Sequence, residues 1–145
     1  MPLVPLQAAA GGFGRPQFLE DGNWDWVQLD TTHRLKAGMF VAQVVGKPME
    51  PRIPDGSYCL FAGPVTGSRQ GRTVLVELFD TADPETGQRY TVKRYESEKA
   101  TSEEGTWRHV RVTLKPLNSS FEPIVLTADD EDSVRVVAEV VQVLE

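Results

Sequence analysis

Short runs of β-branched and apolar residues, separated by glycine and proline, recur along this chain and constrain its fold more than any other feature. The 145 residues include 12 glycines and 10 prolines, which form turns and interrupt helices. The apolar runs have the length and the alternation of buried or half-buried strands. We therefore predict an all-β architecture, a sandwich or an irregular barrel of about eight short strands, without long helices.

The predicted strands are separated by clear turn signals. The strands are predicted over residues 24–29, 39–45, 57–61, 72–79, 88–95, 107–114, 123–126 and 134–144. The stretch 83–87 reads DPETG, with proline early and glycine late, which is typical of a hairpin turn. The polar stretch 96–105 is predicted to be an exposed, mobile turn.

The first 23 residues offer few large side chains to a core. Residues 8–14 read AAAGGFG, and Pro16 and Gly22 interrupt the sequence that follows. We predict a flexible arm over residues 1–23 and a single β domain over residues 24–145. One domain agrees with the usual size of roughly 100–200 residues.

Charge and composition exclude several functional classes. The chain has 21 acidic and 15 basic residues, a net charge of −6, and its basic residues are scattered. This balance argues against a general phosphate-binding surface, and we expect no direct DNA binding. No apolar run is long enough for a transmembrane helix, and we expect no membrane association and a cytoplasmic location.

The sequence also predicts that the protein binds no metal and needs no cofactor. Cys59 is the only cysteine, which excludes an intrachain disulfide and a cysteine-based zinc site. His33 and His109 are far apart, and the acidic run 129–132 lacks the ligand spacing of a calcium loop.

Three motifs, in order along the chain, resemble one known family. Residues 44–57 read VVGKPMEPRIPDGS, residues 91–94 read TVKR, and residues 114–124 read LKPLNSSFEPI. These segments are similar to the active-site, lysine-strand and C-terminal motifs of the LexA/UmuD-like family, the S24 peptidases. The resemblance runs from about Gly38 to Leu144 and implies the LexA/UmuD-like C-terminal-domain fold.

The resemblance also implies a chemistry. In that family a serine in a G-x-S-M turn attacks a peptide carbonyl, and a buried lysine accepts the proton, because burial favours its neutral form. Lys93 matches the position of this general base, and Met49 matches the residue after the nucleophile. The family usually cuts its own arm at a small-residue bond, and Ala10 and Gly11 resemble that pair.

The nucleophile's position holds Pro48 in this chain. Proline has no hydroxyl group and no backbone N–H, so it can neither attack a carbonyl nor donate to an oxyanion from its own amide. Ser57 and Cys59 follow on alternate positions of the next strand and are possible substitute nucleophiles. Position 48 and Lys93 are further apart than usual in the family, and the predicted hairpin tip 80–88 can hold the extra residues.

We therefore predict a catalytically inactive S24-like protein that acts by dimerisation and protein binding. Residues 134–144 are apolar enough to contribute to a homodimer, and the arm could occupy the vacant cleft. The resemblance implies a DNA-damage, phage-repressor or defence setting, with a RecA filament, a polymerase or a defence protein as partner. The alternatives are an active autoprotease that cuts near Ala10, and a UmuD-like accessory subunit of a lesion-bypass polymerase.

Overall fold

A computed structural model describes residues 1–5, 8–10, 24–26, 38–45, 49–63, 65, 69–79, 82–83, 88–101, 107–118, 122–127 and 134–144. Nine strands within these residues form one hydrogen-bonded sheet. They are β1 (Pro2–Leu3), β2 (Asp25–Trp26), β3 (Met39–Val44), β4 (Ser57–Ala62), β5 (Thr73–Leu78), β6 (Tyr90–Thr101), β7 (Trp107–Lys115), β8 (Ile124–Thr127) and β9 (Val134–Leu144). The predicted all-β fold is confirmed.

The last strand in sequence lies in the middle of the sheet. The order is β2-β1-β3-β4-β9-β5-β6-β7-β8, and only β1 and β3 pair in parallel. β9 pairs with β4, where Val140 faces Phe61, and with β5, where Val136 faces Val76. Each pairing contains a register shift, as expected where a bulge bends a strand. β9 therefore joins the group β2-β1-β3-β4 to the group β5-β6-β7-β8 in one sheet.

The central strands are apolar on both faces because both faces are covered. β5 reads TVLVEL, and Val74, Leu75 and Val76 are all fully buried. A strand buried on both sides does not alternate between apolar and polar residues, as one with a solvated face would.

Three apolar clusters cover the two faces. We call the first the front cluster, and the face that carries it the front face; it includes Ala9, Ala10, Phe40, Met49, Ile53, Cys59, Phe61, Leu75, Val92 and Ala138. The hairpin cluster, on the back face, consists of Val74, Val76, Leu78, Val112, Leu114 and Leu126. The edge cluster consists of Met39, Val41 and Leu60. The rings of Phe40 and Phe61 stack in the front cluster, with centroids 5.2 Å apart.

The predicted hairpin is present, but its second strand is longer than the sequence indicated. β5 and β6 pair from Thr73 with Arg94 to Glu77 with Tyr90. β6 then continues to Thr101, so the prediction of a turn from residue 96 is wrong over residues 96–101. The polar residues there pair with β7, and Lys115 Nζ lies 2.7 Å from Glu96 Oε2. Pairing with β7, rather than an apolar sequence, stabilises this part of β6 as a strand.

The described part of the predicted arm packs against the sheet. Leu3 pairs with Val41 of β3, and the amide of Val4 donates to the carbonyl of Val41 at 2.8 Å. Val4, Ala9 and Ala10 are buried, and residues 8–10 are helical. The sequence did not predict strand β1. The division into an arm and a domain at residue 23 stays a prediction.

Gly38, immediately before β3, has a backbone conformation that requires glycine. Its φ is +87°, and a Cβ atom there would lie 2.0 Å from the carbonyl oxygen of Gly63. The carbonyl of Gly38 also accepts a hydrogen bond from the amide of Gly63 at 3.0 Å. This close approach ties the start of β3 to the end of β4.

Candidate active site

Strand β6 carries Lys93 on the back face of the sheet. Val92, the preceding residue, belongs to the front cluster, and successive side chains of a strand point to opposite faces. Lys93 pairs with Val74 of β5, and Val74 belongs to the hairpin cluster. The lysine is only 4% exposed. Lys93 is therefore buried, and its role as a general base stays a prediction.

The ammonium group of Lys93 contacts a buried carboxylate and a buried hydroxyl. Lys93 Nζ donates to Asp83 Oδ2 at 3.0 Å and to Thr91 Oγ1 at 2.6 Å. Thr91 Oγ1 in turn donates to Asp83 Oδ2 at 2.6 Å. Asp83 and Thr91 are 3% and 5% exposed. The three groups form a closed hydrogen-bonded triangle, the buried-charge triangle, with both charges compensated inside the protein.

The residue order of the hairpin builds this triangle. Thr91 and Lys93 are two residues apart on β6, so their side chains share the back face. Asp83 lies before β6, where its amide donates to the carbonyl of Gln88 at 2.8 Å. This bond holds Asp83 beside the start of β6, where its carboxylate contacts Lys93.

The carbonyl of Ala10 lies on the front face, where an arginine binds it. Arg135 Nη2 of β9 donates to Ala10 O at 3.0 Å and lies 3.1 Å from Glu77 Oε1 of β5. Arg135 and Glu77 face each other across the β5–β9 ladder, and Glu77 also faces Tyr90 of β6. Tyr90 packs against the front cluster. The group formed by Ala10, Arg135 and Glu77 is therefore on the front face.

Ala10 and Lys93 thus lie on opposite faces of the sheet. Tyr90 and Lys93 are three residues apart on β6, in a stretch whose pairing with β5 has no register shift. Side chains with an odd separation along a strand point to opposite faces. The structure does not bring the predicted scissile carbonyl and the predicted base together.

The segment that resembles the nucleophile turn is described from Met49 onward. Met49 is 2% exposed in the front cluster, and its carbonyl accepts from the amide of Ile53 at 2.9 Å. Gly56, with φ +85°, ends this segment, and its carbonyl accepts from Gln43 Nε2 at 3.0 Å. Pro48 and Gly11 lie outside the described residues.

The two suggested substitute nucleophiles lie on β4. Ser57 faces Val44, and Cys59 faces Ala42, across the β3–β4 ladder; they share a face, as the alternation predicted. Cys59 is completely buried, and burial raises the pKa of its thiol to about 11. Such a thiol holds almost no thiolate near neutral pH, and this environment opposes a nucleophilic role for Cys59.

Three residues at these sites were missed by the sequence analysis. Asp83 stands in a stretch that reads as a turn, and Glu77 and Arg135 stand in strands that read as structural. A signal was nevertheless present, because each is a charged residue within or beside an apolar strand, where a charge needs a partner.

Metal and membrane features are absent from the part of the chain that the structure describes. No group of three or more potential metal ligands forms there. No helix among these residues has the length and apolarity to cross a membrane.

The chain is thus an all-β protein in which the lysine of the TVKR strand is buried. The family model described as Peptidase S24-like matches residues 2–141. The match covers nearly the whole chain, and the chain belongs to the S24 peptidase-like family. The predicted family is therefore confirmed. A comparison with curated proteins finds no match.

Proposed function

We propose that this S24 peptidase-like protein does not cut peptide bonds and acts by homodimerisation and protein binding. The observation that carries the proposal is the separation of Ala10 from Lys93. The Ala10 carbonyl accepts from Arg135 on the front face, whereas Lys93 lies in the buried-charge triangle on the back face. A nucleophile activated by Lys93 would have to reach through the sheet to that carbonyl.

Two further features support this proposal. By the motif resemblance, Pro48 occupies the nucleophile position, and proline supplies no attacking atom. Residues 8–10 are helical, whereas a peptide that binds to a sheet as an added strand is extended. Inactivity thus has a chemical basis at position 48 and a conformational one at Ala10.

The test is a search for self-cleavage by mass spectrometry. The purified protein is incubated at mildly alkaline pH and is also treated with a serine-directed fluorophosphonate probe. We expect an intact chain of 16.1 kDa and no adduct. A new N-terminus at Gly11, or an adduct that disappears in Lys93→Met, would establish the alternative of an active autoprotease.

We further propose that the protein dimerises through the face of β9 rather than through its edges. Both edges of β9 are paired, with β4 and with β5. Beside it, Tyr58 of β4 faces Leu144 of β9 and is 44% exposed. Val45, at the end of β3, is 68% exposed. Val141 and Leu144 pack against the edge cluster, and we propose that a second copy covers these side chains together with Tyr58 and Val45.

Light scattering coupled to gel filtration tests the dimer. We expect a mass twice the 16.1 kDa of the chain, and we expect Tyr58→Glu to halve it. Phe79→Glu is the matched control, because Phe79 is equally exposed at 44% but lies after β5. A monomeric wild-type protein, or equal effects of the two substitutions, would contradict this interface.

The setting that we propose follows from the family. It is a regulatory one, in DNA damage, phage repression or defence, in which the dimer binds a protein partner. Purification with a lesion-bypass polymerase would favour the UmuD-like alternative over the others.

A further inference from the structure

The buried-charge triangle has a consequence for catalysis that is independent of position 48. We infer that Asp83 prevents Lys93 from acting as a general base, so that a serine restored at position 48 would still lack an activating partner. This inference rests on the proposed loss of peptidase function and deepens it, since it assigns a further cause that lies at the base itself.

The chemistry of a general base requires a free lone pair. A lysine takes the proton of a hydroxyl only as a neutral amine. Lys93 Nζ instead donates to Asp83 Oδ2 at 3.0 Å and to Thr91 Oγ1 at 2.6 Å. Loss of its proton would leave the Asp83 carboxylate, only 3% exposed, without this counter-charge. Lys93 Nζ is therefore engaged as a donor to both groups, and this buried ion pair must be broken before the amine can act on a hydroxyl.

Among the described residues, a second carboxylate near Lys93 on the back face is paired with an arginine. Val74, the partner of Lys93 on β5, faces Glu139 on β9. Glu139 Oε1 lies 3.2 Å from Arg72 Nη1. Asp83 is therefore the carboxylate that compensates Lys93, and Glu139 serves as a control position.

The origin of Asp83 is visible in the sequence. It stands in the predicted hairpin tip 80–88, the segment that can hold the extra residues between position 48 and Lys93. This segment thus contains the counter-charge, and the amide of Asp83 donates to the carbonyl of Gln88 at 2.8 Å.

The first measurement reports directly on Lys93. The chain has five lysines, and their Nζ atoms can be observed by ¹⁵N NMR, with Lys93→Met to assign the signal. We expect the same Lys93 Nζ signal in the wild type and in Glu139→Gln. In Asp83→Asn the buried nitrogen loses its counter-charge, and its signal should be clearly displaced.

The second measurement follows a reaction that needs the base. A fluorophosphonate adds to a serine when the serine oxygen bonds to phosphorus, fluoride leaves, and the hydroxyl proton passes to the amine. We expect Pro48→Ser to be labelled at least ten-fold more slowly than Pro48→Ser/Asp83→Asn. Adding Lys93→Met to the double variant should abolish the gain, which a merely structural effect of Asp83 would not predict.

Each outcome decides the inference. Equal labelling of Pro48→Ser and Pro48→Ser/Asp83→Asn overturns it, as does a Lys93 signal that is the same with and without Asp83. If neither serine variant is labelled, the Lys93 signal alone decides. These outcomes are separate from the proposed loss of peptidase activity, which fails only if the chain with Pro48 itself is cleaved or labelled.

Discussion

Removal of one of the two charges of the buried-charge triangle should destabilise the protein strongly, whereas removal of both charges should not. The side chains of Lys93 and Asp83 are 5% and 4% exposed. Lys93→Met leaves the carboxylate of Asp83 buried without the ammonium, which typically costs about 3–5 kcal/mol. Lys93→Met/Asp83→Leu places apolar groups in both positions, an exchange that is often neutral or stabilises a protein by about 1–4 kcal/mol.

Urea unfolding followed by circular dichroism measures these effects. A domain of this size has a free energy of unfolding of about 5–15 kcal/mol, so a loss of about 3 kcal/mol is easily resolved. With a slope of about 2 kcal/mol per M, the midpoint should fall by about 1.5 M. The reasoning is refuted if Lys93→Met stays within about 0.5 kcal/mol of the wild type, or if the double variant loses the sum of the two single losses.

Three further predictions concern individual residues. Gly38→Ala should lower the free energy of unfolding by about 2 kcal/mol or more, because its Cβ would meet the Gly63 carbonyl; Gly71→Ala, with φ +74° and open space, should lose clearly less in the same urea assay. The Cys59 thiol, with a pKa raised to about 11, should not react with Ellman's reagent at pH 8 until urea unfolds the protein, and reaction of the native protein at the rate of a free thiol would contradict this. The hydrogen bond from Lys115 lowers the pKa of Glu96 below its ordinary 4.5, so Glu96 stabilises the fold above that pH and loses this effect as pH falls through the lowered pKa. Lys115→Met should raise the pKa of Glu96 toward 4.5, which NMR titration of the side-chain carboxyl would detect; an unchanged midpoint would argue against the pair.

Much of the sheet could be predicted because its strands carry their own signals. The runs at 39–44 and 134–144 are continuous, apolar and bounded by turn residues, and both are strands. β1 could not be predicted in this way, since Pro2–Leu3 forms a strand only through its parallel partner β3. The extension of β6 to Thr101 likewise depends on pairing with β7, which sequence periodicity does not encode.

The candidate site, like the sheet, could be predicted from the sequence only in part. Lys93 was identified because it stands in a TVKR strand similar to that of a family. Its partner Asp83 lies ten residues away in a loop, and no local pattern distinguishes a carboxylate that turns inward from one that is solvated. The contact between Arg135 and Ala10 spans 125 residues and follows only from the topology of the sheet.

The central place of β9 determines when this protein can fold during its synthesis. Residues 134–144 leave the ribosome after the other eight described strands, yet they lie between β4 and β5. Until they emerge, β1–β4 and β5–β8 can pair only within each group, and the edges of β4 and β5 that β9 covers remain open to pairing with other chains. Aggregation of the nascent chain is therefore most favoured just before β9 is translated.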